Sequence, residues 1–307
     1  MTRMHDPAAR TILDPAVVAR LGRLEVIART LVEGFIKGLH LSPSKGSSTE
    51  FAEHRPYSPG DEIRRIDWRT FARTDRHYLK EYDDETNVRA ILVVDKSKST
   101  AFPEDGLTKF RYAVCTAAAL GYLVLRQRDG VGLAMVSDRV ERFLPPKATA
   151  QHLSGIFKTL EEESPSGTTG IGRALTQIAA RTTSRSLVIL ISDFLDEPHE
   201  ILKGLSELRH RGCEVLALHT IDPTEETFPF TNWTVFRDPE DAAVSLRMDA
   251  RQVVEIYQDT LRAHLELLKK GCAAAAVDYS LVRTDTPFED SLATYLETRS
   301  RRKRGVG

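Results

Sequence analysis

The feature that most constrains this chain is a series of short, wholly apolar runs that alternate with helix-period segments from Val88 onward. Ala90-Ile91-Leu92-Val93-Val94, Leu187-Val188-Ile189-Leu190-Ile191 and Val215-Leu216-Ala217-Leu218 present no polar residue to water on either side. Each therefore reads as a strand covered on both faces. Residues 131–136 read as another strand, turned by Ser137-Asp138-Arg139 into a hairpin with 140–144. Between these runs, residues 106–128, 148–162, 170–181, 197–209, 251–270 and 288–299 carry helical spacing, with short strands expected at 234–236 and 244–246 and a last one at 274–279. Strands separated by helices must be joined by crossovers, so the expected fold is α/β: a doubly wound, largely parallel sheet with helices on both faces.

Upstream of Val88 the pattern differs. Asp14-Pro15 has the form of a helix cap followed by proline at the first helical position. Val18, Leu21, Leu24, Ile27, Leu31, Phe35 and Leu39 then recur at three- and four-residue spacing, which predicts one amphipathic helix. Ser42-Pro43-Ser44-Lys45-Gly46-Ser47-Ser48 breaks it, and a charged, irregular stretch follows. This divides the chain into 1–50 (helix and loop), 51–87 (charged segment) and 88–307 (α/β domain).

With 43 Lys and Arg against 44 Asp and Glu, the net charge of -1 supplies no field toward nucleic acid or acidic lipid. Cys115, Cys213 and Cys272 are odd in number and set among apolar neighbours, which suits reduced core thiols and a cytoplasmic setting. The longest uncharged helical run, 112–125, is shorter than the ~18 to 20 residues needed to span a bilayer, so no integral membrane segment is expected.

In an open α/β sheet, ligands bind beyond the carboxyl ends of the strands, where strand order reverses. The loop after the first buried strand is Asp95-Lys96-Ser97-Lys98-Ser99, with a carboxylate and two hydroxyls at alternate positions facing one way. Gly167-Thr168-Thr169-Gly170 offers a further hydroxyl, from Thr169 or its neighbour Thr168, and Ser192-Asp193 follows another buried strand. An oxygen-only set with two carboxylates selects a hard divalent cation, Mg²⁺ first and Mn²⁺ or Ca²⁺ as alternatives. The bland reading of these residues is a set of capped turns, since Ser and Asp bond their own backbone readily.

Asp95-x-Ser97-x-Ser99, Gly-x-Thr169 and the strand-end Asp193, in that order, resemble the metal-ion-dependent adhesion site of von Willebrand factor A domains. That resemblance implies a Rossmann-like sheet, Asp95, Ser97, Ser99, Thr169 and Asp193 as metal ligands, and a partner's acidic residue completing the shell. The resemblance extends upstream. The string Arg55-Pro56-Tyr57-Ser58-Pro59-Gly60-Asp61-Glu62-Ile63-Arg64-Arg65-Ile66-Asp67-Trp68, with Ala72-Arg73, is similar to the signature of the prokaryotic domain-of-unknown-function 58 family. The family resemblance implies a MoxR-type AAA+ ATPase as partner, in a chaperone-like or assembly role.

Arg55, Tyr57, Asp61, Arg64, Asp67, Trp68 and Arg73 read either as an exposed partner surface or as an ion-paired cluster pinning the segment to the sheet. Three functions follow from the residues. The first is a non-enzymatic, metal-dependent binding module. The second is a metal-dependent hydrolase or phosphoryl-transfer enzyme, against which stands the want of a Walker loop or a Gly-x-Ser-x-Gly elbow. The third is a structural domain in which Lys96 or Lys98 reaches in to take the cation's place. The basic tail 299–304 reads as a solvated terminus.

Overall fold

The computed structural model describes residues 14–20, 22–41, 54–56, 78–80, 88–240 and 243–304. Helix α1 (Pro15–Val18) starts where the cap is expected, with the Asp14 carboxylate accepting the Ala16 N–H at 2.8 Å. It stops after one turn. The chain passes through Gly22 at φ +88°, a left-handed conformation that glycine adopts without steric cost, and a new helix, α2 (Leu24–Leu41), begins. The single helix predicted from periodicity is thus two helices. The Glu161 carboxylate caps the second by accepting the Leu24 N–H at 2.8 Å.

Two units are distinguished, Met1–Phe35 with Val88–Gly307, and Ile36–Asn87. In the second, β1 (His54–Pro56) pairs antiparallel with β2 (Tyr78–Lys80), Arg55 standing opposite Leu79.

The first unit continues with β3 (Arg89–Asp95), α3 (Lys109–Arg126), β4 (Gly130–Val136), β5 (Val140–Lys147), α4 (Ala150–Glu162), α5 (Ile171–Arg181) and β6 (Ser186–Ser192). There follow α6 (Pro198–His210), β7 (Glu214–Ile221), α7 (Pro223–Thr227), β8 (Trp233–Arg237), β9 (Ser245–Asp249), α8 (Ala250–Ala274), β10 (Asp278–Arg283) and α9 (Phe288–Arg304). Two expected boundaries move. Helix α3 starts at Lys109 rather than 106, because the Thr108 hydroxyl caps it by accepting the Arg111 N–H at 3.0 Å. The last strand occupies 278–283 rather than 274–279. Its supposed start lies in an alanine run, the best of helix formers, so α8 continues to Ala274 and the chain then turns through Ala276 at φ +54°.

Six strands form one sheet in the order β10-β7-β6-β3-β4-β5, all parallel except the β4–β5 hairpin. The expected doubly wound, largely parallel sheet is what the chain forms. Successive side chains of a strand point to opposite faces. Ile91 and Val93 of β3, with Val188 and Leu190 of β6, pack in one buried cluster with α5, α6 and α8. Leu92 faces the other way, against α3, where a Cβ added at Gly121 would stand 3.2 Å from its Cδ1. Helix α3 is buried on nearly every side, and Cys115, Cys213 and Cys272 are free, buried thiols. Among the described residues no helix is long and apolar enough to cross a membrane.

What positions the site is β3. It pairs with β4 on one side and β6 on the other, so the chain winds first one way and then the other. The winding therefore reverses between β3 and β6, the position at which open α/β sheets bind their ligands.

Candidate metal site

Asp95 is the last residue of β3 and is buried. Its Oδ1 accepts the Ser97 N–H at 2.9 Å, and its Oδ2 accepts the Ser192 hydroxyl at 2.6 Å. The hydroxyls of Ser97 and Ser99 then lie 3.0 Å apart. A short 3-10 turn over Lys98–Ala101 fixes that spacing, with the Thr100 hydroxyl donating to the Ser97 carbonyl at 2.7 Å. Asp193 comes directly after β6 and is equally buried. Burial first, and the neighbouring Asp193 charge second, push the Asp95 carboxyl up to about 7, against the lowering pull of Ser192 and Ser97. Strand adjacency has brought two buried carboxylates into each other's field.

The third loop lies alongside the first. Ser166 donates its N–H to the Lys96 carbonyl at 2.6 Å, and the Lys98 N–H donates to the Gly167 carbonyl at 3.4 Å. Gly167 is required there: its φ is +82°, and a Cβ would stand 2.8 Å from Ser137 Oγ. Thr169 is half-buried and Thr168 exposed. The Thr169 N–H donates to the carboxylate of Glu240, which lies between β8 and β9, and Lys98 Nζ donates to the Glu240 carbonyl at 3.2 Å. Asp95, Ser97, Ser99, Thr169 and Asp193 therefore share one end of the sheet.

Neither lysine expected to replace a cation pairs with Asp95 or Asp193. Lys96 turns to Glu163 and to Glu141, the latter at 3.1 Å. Burial works against its charge, but the two glutamates more than offset this and hold its amine above the ordinary lysine range. The ammonium that does meet the site is Lys109, the first residue of α3. Its Nζ lies 2.8 Å from Asp193 Oδ2 and 2.6 Å from Glu225 Oε1 in α7. Burial opposes its charge, and Asp193 and Glu225 together raise its pKa well past the usual lysine value. The sequence reading missed this residue. Its one sequence signal is a cation in the first turn of a helix, where the helix dipole favours acids.

Among the described residues no group of three or more His, Cys, Asp and Glu side chains is placed to hold a metal ion. A cation among these residues would depend on the serine and threonine hydroxyls, which suits a hard ion. Three carboxylates, Asp95, Asp193 and Glu225, stand against one ammonium, so the charge also fits a divalent cation. His219, an imidazole that bonds the Asp193 backbone, is not free as a ligand. Burial pushes its pKa down to about 3, and its Nδ1 bonds the Tyr279 hydroxyl at 2.7 Å. Of the expected partner surface, Arg55 falls in β1 with its side chain outside the described residues, as are Tyr57, Asp61, Arg64, Asp67, Trp68 and Arg73.

Residues 53–266 match the family described as "Protein of unknown function DUF58". An uncharacterized protein of Mycobacterium tuberculosis is 28% identical over 298 residues, covering 94% of this chain and 91% of its own length. Among solved structures, an aerotolerance-related membrane protein from Bacteroides fragilis is similar at 16% identity and a TM-score of 0.46, over 69% of this chain and 99% of that one. The conserved hypothetical protein BatB from Bacteroides thetaiotaomicron is similar at 15% identity and a TM-score of 0.45, over 72% of this chain and 100% of that one.

Proposed function

This chain belongs to the DUF58 family of proteins of unknown function, and we propose that it is a non-enzymatic, metal-dependent protein-binding module of the von Willebrand factor A type that its motifs resemble. The observation that carries the reading is the meeting of two buried carboxylates and a facing pair of serine hydroxyls at the point where strand order reverses. Asp95, Ser97, Ser99, Thr169 and Asp193 would hold the ion, Mg²⁺ first and Mn²⁺ or Ca²⁺ as alternatives, directly or through water. So few charged ligands leave a coordination position for a carboxylate from a partner. Binding is favoured over nucleophilic chemistry because the imidazole beside the site, His219, is held neutral by burial and spends its Nδ1 on the Tyr279 hydroxyl rather than on either serine. The partner proposed is a MoxR-type AAA+ ATPase in the cytoplasm, served in a chaperone-like or assembly role, with Arg55, Tyr57, Asp61, Arg64, Asp67, Trp68 and Arg73 as a second contact surface.

The test is calorimetric titration of Mg²⁺ and Mn²⁺ into the full chain and its Asp95→Ala variant, with and without the ATPase. Binding of metal and partner that falls together in the variant supports the module. Metal and partner binding left intact in Asp95→Ala would overturn it, as would no metal binding with the ATPase present.

A further inference from the structure

Lys109 breaks a local rule. It occupies the first position of α3, directly after the Thr108 cap, where the positive end of the helix dipole disfavours a cation. It is also 1% exposed, and taking an ammonium out of water costs several kcal/mol. Such violations are tolerated where something offsets them and a site gains by it. The offset here is specific. Nζ lies between Asp193 Oδ2 at 2.8 Å and Glu225 Oε1 at 2.6 Å, with the Phe102 ring centroid 5.8 Å away. Glu225 is itself anchored, since its second oxygen accepts the Asp222 N–H at 2.8 Å in a capping box. One ammonium thus ties the helix that follows the Asp95 loop to the loop leaving β6 and to α7, the short helix after β7. It does so on Asp193, a carboxylate of the candidate cation site.

We propose that Lys109 is the residue that sets the charge of this site: it holds Asp193 when no cation is bound and tunes the site so that cation and acidic partner bind together. The proposal rests on the metal-binding reading above. With Asp95, Asp193 and Glu225 all ionised, as a bound cation would hold them, three carboxylates and one ammonium leave two negative charges, which one divalent cation cancels. The filled site is then neutral and can accept a partner carboxylate. Without the lysine the filled site would keep a negative charge, and would bind the cation alone more tightly while repelling an acidic partner. Lys109 also lets the fold bury Asp193 without a metal, because a buried carboxylate stripped of its counter-charge is strongly destabilising. Lys109 is a positioning and specificity-determining residue for the cation, acting through Asp193.

The experiment is Mn²⁺ titration, by calorimetry and by thermal unfolding, of the full chain and of Lys109→Met, Lys109→Arg and Glu225→Gln. Lys109→Met is expected to bind Mn²⁺ about tenfold or more tightly than the parent, with a lower Tm without metal and a larger Tm rise on adding it. Lys109→Arg keeps the charge and should bind as the parent does. Glu225→Gln removes a negative charge while leaving the lysine on Asp193, and should bind at least several-fold more weakly. A merely structural lysine would lower the Tm equally with and without Mn²⁺ and leave affinity unchanged. Equal affinity in the parent and Lys109→Met overturns this inference and leaves the metal reading standing. No binding by the parent or any variant, with the ATPase present as well as without it, overturns both. If Lys109→Met does not fold, unchanged or tighter binding by Glu225→Gln overturns the inference by itself.

Discussion

Ser192 serves two elements with one hydroxyl, donating to Asp95 Oδ2 at 2.6 Å and accepting the Phe194 N–H at 2.9 Å. Phe194 is wholly buried at φ +51°, so its amide has no ready substitute partner. Ser192→Ala is expected to strand both groups and cost roughly 1 to 3 kcal/mol, read as a lower urea midpoint. A change below about 0.5 kcal/mol would mean that water replaces the hydroxyl without loss. At this scale the sequence was informative where chemistry is local. Asp95, Ser97 and Ser99 fall at alternate positions from the end of one strand and Asp193 just past another, so their nearness could be foreseen, although a 3-10 turn and not extended chain carries Ser99. Lys109 could not, because its partners come from the loop after β6 and from α7, and spacing along the chain is silent about them.

Among elements, α5 and α6 approach most closely through two glycines. A Cβ added at Gly172 would stand 2.5 Å from the Glu200 carbonyl oxygen, and one at Gly204 would stand 2.7 Å from Leu175 Cβ and 2.8 Å from the Gly172 carbonyl oxygen. Alanine would ordinarily gain about 1 kcal/mol over glycine inside a helix. Here the added methyl must push backbone, and overpacking of this kind costs about 1 to 3 kcal/mol. Gly204→Ala should therefore lower the Tm by a few degrees, and a rise in Tm would show that the two helices separate freely. The same scale explains the misplaced boundaries. Periodicity carried one helix across Gly22, because side-chain spacing does not register a backbone that turns left-handed. Strand β10 was set too early because an alanine run is apolar enough to resemble a buried strand, although it prefers helix.

Across the whole molecule, the C-terminal helix closes on the opposite end of the sheet from the candidate site. Arg299 Nη1 pairs with Asp129 at the start of β4, and Asp129 also accepts the Val88 N–H at 3.0 Å where β3 begins. The same Nη1 donates to the Tyr295 hydroxyl at 3.0 Å. The side chains of Arg299 and Asp129 are 14% and 3% exposed, so the first residue of the tail, expected to be solvated, is held in the protein. Arg299→Met is expected to leave Asp129 buried without its counter-charge and to cost about 3 kcal/mol, measured by denaturant unfolding. Stability within about 0.5 kcal/mol of the parent would show that Asp129 needs no partner. The sequence by itself determined the doubly wound sheet and the oxygen-bearing loops at its carboxyl ends, because short apolar runs rich in β-branched residues and alternating with helical segments read as strands covered on both faces, and ligand loops follow from strand order. Only the tertiary structure decided which charges meet. Lys96 goes to Glu163, Lys109 to Asp193 and Arg299 to Asp129, since a buried ion pair is chosen by what packing brings within reach of a group that cannot keep its water.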